Sequence, residues 1–560
     1  MADVEQQGQG QVGEERIDWS VLSGPRVPRR TLLRLAAASG AVGFAGRLSM
    51  LDAAAGSARA ARRIGAKSRQ EPKPGGTLRI GFQISQIVTL DPQQLSQGVV
   101  AGAILPSIFS SLVQFDPDLG IVPDLAESWE VTPDGLQYTF QLRPGLTFHN
   151  GDTLTSADLL YTYERTTNAD FASPHANKLA LVEAFETPDA QTVAIRLSQP
   201  FAPFLAVACT RGPGRALTAV PRRAIEELGD EQFGITPVGS GPFQVVAESV
   251  KVGTGFEMTA FEGWYGGRPY LDAIEVQLVP DASSAISALE AGDIDLLDPA
   301  PATLFEQLRS NPDLVVVEGP STSWRGVVMN QARPPWDNPE ARLAVAKAID
   351  RQAFVETAFF GLATPAIGAI APAFGWAYLA PDQVENPQGF NMEEAKALAE
   401  KAGLIGAKPI VISSEEIGQR PTEVLRTILE DLGLEPQIDF QQAATFNERW
   451  QAGDYDMFLH GSVVDADPDD GHWNIFNSEG PWNTFGYKSE EADRLLAATR
   501  ATADQEERAR LFQELQGVLQ RDVAAAFVYH AADLLTHHQE VQGFVPIPEQ
   551  RYYEKVWLDR

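Results

Sequence analysis

The clearest alternation of apolar and polar positions lies in the stretch Leu125–Arg165. Apolar side chains occupy every second position from Leu136 to Leu142, and this period of two is typical of a strand with one buried face. Residues 132–135 read Thr-Pro-Asp-Gly, a turn sequence. A further short strand is predicted at Leu146–Phe148, and Thr155 has the sequence context of a helix N-cap. The stretch therefore predicts a small meander followed by a helix, and it contains no obvious catalytic group.

Helices and strands alternate in the second half of the chain. Strands are predicted at 410–413 and 455–459, and amphipathic helices at 421–432 and 505–521. This alternation predicts a mixed sheet with helices on its faces.

Three further apolar runs are predicted to be strands. Two of them, Leu314–Val317 and Arg325–Met329, are separated by the short segment 318–324. The last apolar strand is predicted at Ala525–His530.

The stretch that carries the meander resembles the signature of a known family. That family is the extracytoplasmic solute-binding proteins, family 5, which serve ABC importers of oligopeptides, dipeptides and nickel. Further segments are similar to it, including Pro237–Phe243 and Asn338–Arg351, and the resemblance covers about residues 75–550. The matching signature positions include Leu125, Ala126, Ser128, Trp129, Asp134, Gly135, Tyr138, Phe140, Leu142, Arg143, Gly145, Phe148, His149, Gly151, Leu154, Thr155, Asp158 and Arg165.

The resemblance implies an α/β, periplasmic-binding-protein-like fold of class II. Such a fold has two lobes with the ligand cleft between them, and here an extra domain is inserted into the first lobe. The family's "LDP" loop, matched by Thr89–Pro92, would border the cleft. The resemblance also implies that residues 318–324 form the hinge between the first lobe and the third, and that the strand Ala525–His530 returns the chain to the first lobe. The expected ranges are 1–70 for the N-terminus with its export signal and linker, 75–115, 237–318 and 525–560 for the first lobe, 116–236 for the inserted domain, and 319–524 for the third lobe.

Composition excludes some classes of protein. The formal net charge of −31 would repel a phosphate backbone, so nucleic acid is not an expected partner. Cys209 is the single cysteine and stands in an apolar run, which favours a buried structural residue. No disulfide can form within this chain.

The N-terminus has the parts of an export signal. Arg29 and Arg30 precede a small-residue apolar run, 35–46, and a possible cleavage site follows. This order resembles a twin-arginine signal, although Pro28, Leu32 and Arg34 depart from the usual pattern. The apolar run is too short to span a membrane, and no cysteine follows it for lipid attachment. We expect export to the periplasm or to the outer face of the cytoplasmic membrane, with the signal either cleaved or retained.

An acidic segment, 465–470, follows the predicted strand at 455–459. In peptide-binding relatives the corresponding segment supplies an aspartate that holds the ligand's α-ammonium. By that resemblance Asp465 is the expected anchor and Asp467 the second candidate. The alternatives are a solvated acidic turn and, more weakly, a calcium loop, because the glycine and distal glutamate of such a loop are missing.

Aromatic and basic residues near the expected cleft complete the candidate ligand site. Trp324 lies closest to the predicted hinge and Trp473 to the acidic segment. Because some relatives bind oligosaccharides by stacking them on aromatic rings, these two tryptophans are candidates for the same role here. Arg420 or Arg325 could meet a ligand carboxylate.

The histidines and the remaining side chains suggest no enzyme. His537 and His538 are adjacent and would point to opposite faces of a strand, so they chelate a metal poorly. No catalytic site, metal site or cofactor is predicted.

We therefore expect a monomeric substrate-binding component of an ABC importer. The ligand would be a small peptide, and the partner a membrane permease. The alternatives are an oligosaccharide or a nickel chelate in the same role, a secreted enzyme, or a purely structural envelope protein.

Overall fold

The computed structural model describes residues 71–560 apart from 415–416 and 463–466. The predicted export signal, with Arg29 and Arg30, and the predicted anchor Asp465 therefore lie outside the described residues. The strands are β1 Thr77–Phe82, β2 Val113–Phe115, β3 Ile121–Pro123, β4 Ala126–Val131, β5 Gln137–Leu142, β6 Val182–Asp189, β7 Thr192–Leu197, β8 Phe243–Val245, β9 Gly255–Ala260, β10 Ala273–Leu278, β11 Leu296–Asp298, β12 Leu314–Pro320, β13 Trp324–Met329, β14 Thr364–Pro365, β15 Ile410–Ser414, β16 Gln437–Gln441, β17 Met457–Ser462, β18 Ala526–His530, β19 Ala532–His538, β20 Val541–Gln542 and β21 Trp557–Leu558. The α-helices are α1 Gly98–Ala103, α2 Leu105–Ile108, α3 Ser156–Thr167, α4 Phe204–Ala208, α5 Arg222–Leu228, α6 Asp230–Ile235, α7 Ala282–Ala291, α8 Phe305–Ser310, α9 Pro339–Ala348, α10 Arg351–Phe359, α11 Met392–Lys401, α12 Gln419–Leu432, α13 Ala443–Ala452, α14 Pro468–Phe476, α15 Glu490–Ala501 and α16 Gln505–Arg521.

The first-lobe sheet has seven strands in the order β12-β19-β11-β1-β10-β9-β8. Its central strand β1 pairs in parallel with both β10 and β11. Strands β10 and β11 therefore run in the same direction on either side of β1, and the crossover that such strands need is made through α7. Leu78, Ile80 and Phe82 of β1 are buried, and they place the core of this lobe along the middle of the sheet.

The inserted sheet is antiparallel, with the order β4-β5-β7-β6. Tyr138, Phe140 and Leu142 of β5 are buried, so the predicted alternation is confirmed. The helix that follows is capped as predicted, with Asp158 accepting from the Thr155 amide at 2.8 Å. The strand predicted at Leu146–Phe148 is wrong. That segment makes one isolated bridge, Thr147 to Thr153, because its chain turns back before a ladder can form.

The third-lobe sheet has six strands in the order β14-β18-β13-β17-β15-β16. Strand β15 runs parallel to both of its neighbours, β16 and β17, and α12 and α13 connect these three strands. Strand β17 pairs on its other side with β13 in the antiparallel direction. This is the mixed sheet with covering helices that the alternation in the sequence predicts.

The chain crosses between the two larger sheets twice. Strand β12 ends in the first-lobe sheet and β13 begins in the third-lobe sheet, so residues 321–323 form the first crossing. Strands β18 and β19 are separated by Ala531 alone, which forms the second crossing. The strand Ala526–His530, which the sequence prediction assigned to the first lobe, pairs with β13 and β14 of the third-lobe sheet. The return to the first lobe therefore comes with β19.

The buried apolar core joins parts of the molecule that are distant in sequence. Phe140 and Ile195 of the inserted sheet belong to the same buried cluster as Trp324 and Phe476 of the third lobe. Within the described part of the chain, we find no helix that combines the length and apolarity needed to span a bilayer.

Candidate functional site

The two crossings lie side by side and are hydrogen-bonded to each other. The Ser321 amide donates to the carbonyl of Ala531 over 3.4 Å. The ring nitrogen Nδ1 of His530 lies 3.1 Å from the carbonyl oxygen of Ser323. These bonds fix the geometry at the junction of the two lobes, where a hinge would have to act.

A buried arginine organises the first-lobe side of this junction. Arg551 forms a bidentate pair with Asp298, with nitrogen–oxygen distances of 2.7 and 3.2 Å. It forms a second with Asp533 at 2.6 and 3.0 Å. Burial raises the pKa of Asp298, while Arg551 opposes that rise. A buried charge is tolerated when it is paired in this way.

Glu549 is a further acid at the junction, and its pKa is raised. Its backbone has φ of +60°, a left-handed conformation that costs a non-glycine residue energy. Burial raises the pKa of Glu549 to about 7, and the charge of Asp533 adds to this effect. Arg551, Arg325 and the backbone amide of Thr322 act in the opposite direction. This carboxyl therefore interacts with the first crossing through the Thr322 amide and with the third-lobe strand β13 through the charge of Arg325.

The acidic segment leads directly into α14, and Asp467 is its N-cap. The Asp467 carboxylate accepts from the Asp469 amide at 2.9 Å. It also receives both terminal nitrogens of Arg508, at 2.6 and 2.7 Å. Its hydrogen-bonding capacity is therefore taken up largely within the protein, and this placement adds no support for a ligand contact.

Asp469, two residues after Asp467, is held by a second arginine. The Nε of Arg500 lies 2.9 and 3.0 Å from the two oxygens of Asp469. Burial raises the pKa of Asp469 to about 6, and Arg500 limits that rise. The same guanidinium lies 3.8 Å from the ring centre of Trp473, so it covers one face of this half-buried tryptophan.

Trp324 is part of the core. It has no exposed surface, and its ring packs against Phe476 and Phe527 at centroid distances of 5.5 and 5.2 Å. A stacking role toward a sugar gains no support from this placement. Through Phe476, the last residue of α14, Trp324 nevertheless lies beside the helix that carries Asp467 and Trp473.

Arg420 lies apart from these residues, on the exposed start of α12. Its Nε donates to the carbonyl of Thr357 at 2.7 Å, and its guanidinium lies 4.2 Å from the ring centre of Phe360. The structure thus brings Trp324, Asp467 and Trp473 together around α14 and leaves Arg420 elsewhere.

The loop Thr89–Pro92 is joined by an ion pair to the signature stretch Leu125–Arg165. Asp91 pairs with Arg165, the last signature residue, at 2.6 Å. Thr89 and Leu90 also line an open pocket of about 750 Å³ with Phe171, Ile235 and Lys251. Its described lining residues all come from the first lobe and the inserted domain, so the pocket is separate from the crossings.

The histidines serve as hydrogen-bonded structural groups. Burial lowers the pKa of both His472 and His530 to about 4, which keeps them neutral. His538 contacts the carbonyl of Leu289 at 2.7 Å through Nε2. In the described ranges we find no group of three histidine, cysteine, aspartate or glutamate side chains that would hold a metal ion.

Four charged residues of this region are absent from the sequence prediction: Arg500, Arg508, Glu549 and Arg551. The arginines stand in segments that read as solvated helix or irregular chain. Their acidic partners lie between 18 and 253 positions away in sequence. No local pattern in the sequence indicates these pairs.

The chain is similar to a family of known proteins. Residues 120–484 match the model of the bacterial extracellular solute-binding proteins, family 5. The glutathione-binding protein GsiB of Salmonella typhi is 29% identical over 479 residues, which cover 83% of this chain and 91% of that protein.

Solved structures agree with this match. The periplasmic binding protein DppA of Helicobacter pylori, in complex with the peptide STSA, superposes with a TM-score of 0.74 at 24% identity, covering 87% of this chain and 99% of DppA. AgaA of A. tumefaciens, in complex with agropinic acid, has a TM-score of 0.71 at 26% identity, with coverage of 87% and 99%. The two-lobed fold predicted from the sequence is thereby confirmed.

Proposed function

Because the chain belongs to the bacterial extracellular solute-binding proteins, family 5, we propose that it captures a small peptide between its lobes and delivers it to the permease of an ABC importer. The observation that carries the proposal is the double crossing between the two large sheets, at residues 321–323 and at Ala531. Two adjacent crossings allow the lobes to close on a ligand as rigid bodies. Pockets between domains are a preferred place for small ligands.

Asp465 is the proposed anchor for the ligand's ammonium group. Its support comes from the residues that flank the segment 463–466. Ser462, the last residue of β17, is in register with Trp324, the first residue after the crossing. Asp467 on the other side caps α14. These two flanking residues are the support for the proposal, because an ammonium–carboxylate bond shielded from water near the junction would be strong.

The remaining candidates rank lower. Asp467 is second, since Arg508 already occupies its oxygens. Trp473 would contribute its second ring face. The proposed state is a monomer that meets the permease outside the cytoplasmic membrane.

Ligand binding is tested on purified full-length protein with three probes. These are reduced glutathione, the tetrapeptide Ser-Thr-Ser-Ala and the dipeptide Met-Leu, after the ligands of GsiB, of DppA and of a dipeptide-binding protein from Pseudoalteromonas sp. SM9913 that is 19% identical. A binding probe at a hundred times its Kd adds about 2.7 kcal/mol to the free energy of unfolding and raises Tm. Native mass spectrometry of the freshly purified protein reports any ligand it retains.

The variant Asp465→Ala separates binding from folding. We expect it to lose the Tm shift while its own Tm stays close to that of the wild type. If no probe shifts Tm and no retained ligand is found, the peptide assignment fails. If Asp465→Ala binds as tightly as the wild type, the anchor assignment fails.

Export by the twin-arginine route is a separate part of the proposal, supported by Arg29 and Arg30 in the sequence. The double variant Arg29→Lys, Arg30→Lys should accumulate in the cytoplasm of a bacterium with an intact twin-arginine pathway, as measured by fractionation. Unchanged export would rule out this route.

A further inference from the structure

The pocket of about 750 Å³ lies where the first lobe borders the inserted domain, away from the two crossings. Four segments form its wall: the loop 87–94, the loop 171–174, helix α6, and the segment 250–256, where the chain turns between β8 and β9. A volume of this size is within the range of small-molecule sites. Since the third lobe contributes none of the described lining residues, the pocket belongs to the first lobe and the inserted domain alone.

Hydrogen bonds within the protein hold these wall segments together. The Leu90 amide donates to the carbonyl of Gly234 on α6 at 2.7 Å. A Cβ atom at Gly234 would collide with the Thr89 hydroxyl, so glycine permits this close approach of helix and loop. The Ser173 hydroxyl donates to the carbonyl of Gln93 at 2.6 Å, which joins the two loops. The pocket is therefore preformed.

The turn between β8 and β9 presents an apolar side chain to solvent at the pocket. The Lys251 amide donates to the Gly255 carbonyl at 2.9 Å, and the Gly255 amide donates back to the Lys251 carbonyl at 3.1 Å. Val252 within this closed turn is 81% exposed, and Val88 is 70% exposed. Both valines line the pocket together with the buried ring of Phe256. Two exposed valines at one concave site form a surface that gains free energy when an apolar group covers it.

The polar groups of the pocket carry an excess of negative charge. Asp230 and Glu231 belong to α6, and Lys251 is the single basic residue among the described lining residues. One Asp230 oxygen accepts from Arg165 at 2.6 Å, but Arg165 also neutralises Asp91. Glu231 is exposed and forms no ion pair with any residue that the structure describes. The pocket therefore attracts a cation and repels an anion, in agreement with the net charge of −31.

We propose that this pocket is a second binding site, separate from the cleft between the lobes, and that it takes a small organic cation, a protonated amine on an apolar body. The ammonium group would lie toward Asp230 and Glu231, where charge-assisted hydrogen bonds are available. The apolar body would cover Val88, Val252 and Phe256. This inference goes beyond the proposed function and does not depend on it, since no residue of the crossings takes part.

Three probes with similar apolar bodies and different charges test the chemistry of the site. They are 2-phenylethylamine, which is a cation at neutral pH, the neutral 2-phenylethanol and the anion 3-phenylpropanoate. Isothermal titration calorimetry on the purified full-length protein should give the amine a Kd about tenfold lower than that of the alcohol, because the amine can form charge-assisted hydrogen bonds. The anion should bind more weakly than the alcohol.

Two variants with matched controls place the amine in the pocket. Glu231→Gln should weaken binding of the amine about threefold to fivefold, whereas Glu127→Gln, an equally exposed acid on β4 outside the pocket, should leave it unchanged. Val252→Thr keeps the shape of the side chain but makes it polar, and it should weaken binding of the amine and the alcohol about threefold. Its control is Val131→Thr on β4, at a valine that is 38% exposed. All four positions are exposed, so each variant should fold as the wild type does.

Several results would overturn the inference. Equal affinity for the amine and 3-phenylpropanoate would exclude a cation site. If no probe binds, or if Glu231→Gln and Val252→Thr bind the amine as their controls do, this pocket is not a binding site. Saturating reduced glutathione or Ser-Thr-Ser-Ala should leave the Kd of the amine unchanged, and competition would place the amine between the lobes instead. Because the amine titrations require no peptide to bind, they remain decisive even if the proposed function fails.

Discussion

The inserted sheet and the junction between the lobes are stabilised by different forces. In the inserted sheet, Tyr138, Phe140 and Leu142 bury apolar side chains that are spaced two apart on one strand. At the junction, the paired groups are the buried Asp298 and Arg551 and the half-buried Asp533, which come from three separate segments. Apolar burial stabilises the first region without regard to direction, whereas the second depends on each charge finding its partner. We therefore expect the junction to be sensitive to the loss of a single charged group, and the inserted sheet to be sensitive to the loss of buried apolar volume.

The largest expected effect is that of removing the central charge at the junction. Arg551→Met leaves Asp298 and Asp533 buried without their cation, and we expect the free energy of unfolding to fall by about 3–5 kcal/mol. Urea unfolding monitored by tryptophan fluorescence measures this loss. Arg309→Met is the control, since its pairs with Glu306 and Glu318 are exposed and worth less than about 1 kcal/mol. A loss as small as that of the control would contradict the contrast between the two regions.

Leu142→Ala is the corresponding change in the inserted sheet. The side chain is buried on β5, and deletion of a buried leucine side chain costs about 2–5 kcal/mol through lost burial and the cavity left behind. Unlike Arg551→Met, it should leave the pH dependence of stability unchanged. Urea unfolding at pH 5 and pH 8 checks both points, and a pH-dependent loss would show that the inserted sheet also relies on the charge network.

Glu549 gives the junction a pH dependence of known sign. Its pKa is raised in the folded protein to about 7, against about 4.3 in an unfolded chain. The folded state therefore holds the proton more tightly, so this group's contribution to stability is full below about pH 4.3 and is lost as the pH rises through 7. Relative to Glu549→Gln, the wild type should become less stable between pH 5 and pH 8, by at most about 3 kcal/mol.

The comparison with Glu549→Gln is needed because other buried groups titrate in the opposite sense. His472 and His530 have lowered pKa values, so stability falls as they are forced to take up protons at acid pH. The difference between wild type and variant cancels their contribution. Parallel stability curves for the two proteins would show that Glu549 is not the titrating group.

The smallest effect is expected at Arg420. Because this residue lies exposed on α12, away from α14 and the crossings, Arg420→Ala should change the affinity for a bound peptide by less than about twofold. Isothermal titration calorimetry with the probe that shifts Tm measures it. A large loss of affinity would place Arg420 at the ligand, as the sequence prediction suggests, and would show that the ligand site reaches α12.

Local pattern was sufficient for much of the fold. The alternation in β5, the capping of α3 by Thr155 and Asp158, and the strands on either side of the first crossing follow from neighbouring residues. Each of these features depends on interactions within a few positions of the chain, which is the range that periodicity and turn chemistry report. The strand predicted at Leu146–Phe148 failed because a short apolar run does not specify whether a partner strand is available.

The candidate site was predicted less completely. The acidic segment before α14 was identified from its resemblance to the family, but the roles of its residues were not. Asp467 and Asp469 look alike in sequence, yet one caps a helix against Arg508 and the other is covered by Arg500. Trp324 and Trp473 are both tryptophans near the hinge, yet one is core and the other half-buried. Which partner reaches each side chain depends on helices α15 and α16, which follow later in the chain.

The sequence by itself determined the family, the repeating strand and helix patterns, and the position of the first crossing, because these depend on short-range order along the chain. Only the tertiary structure decided that β18 belongs to the third-lobe sheet, that Arg551 pairs with Asp298 and Asp533, and that Arg500 lies between Phe201 of the inserted domain and Trp473 of α14. The physical reason is that a buried charge is tolerated only when it is paired. Here the partners come from distant segments, and long-range pairing leaves no periodic mark in the sequence.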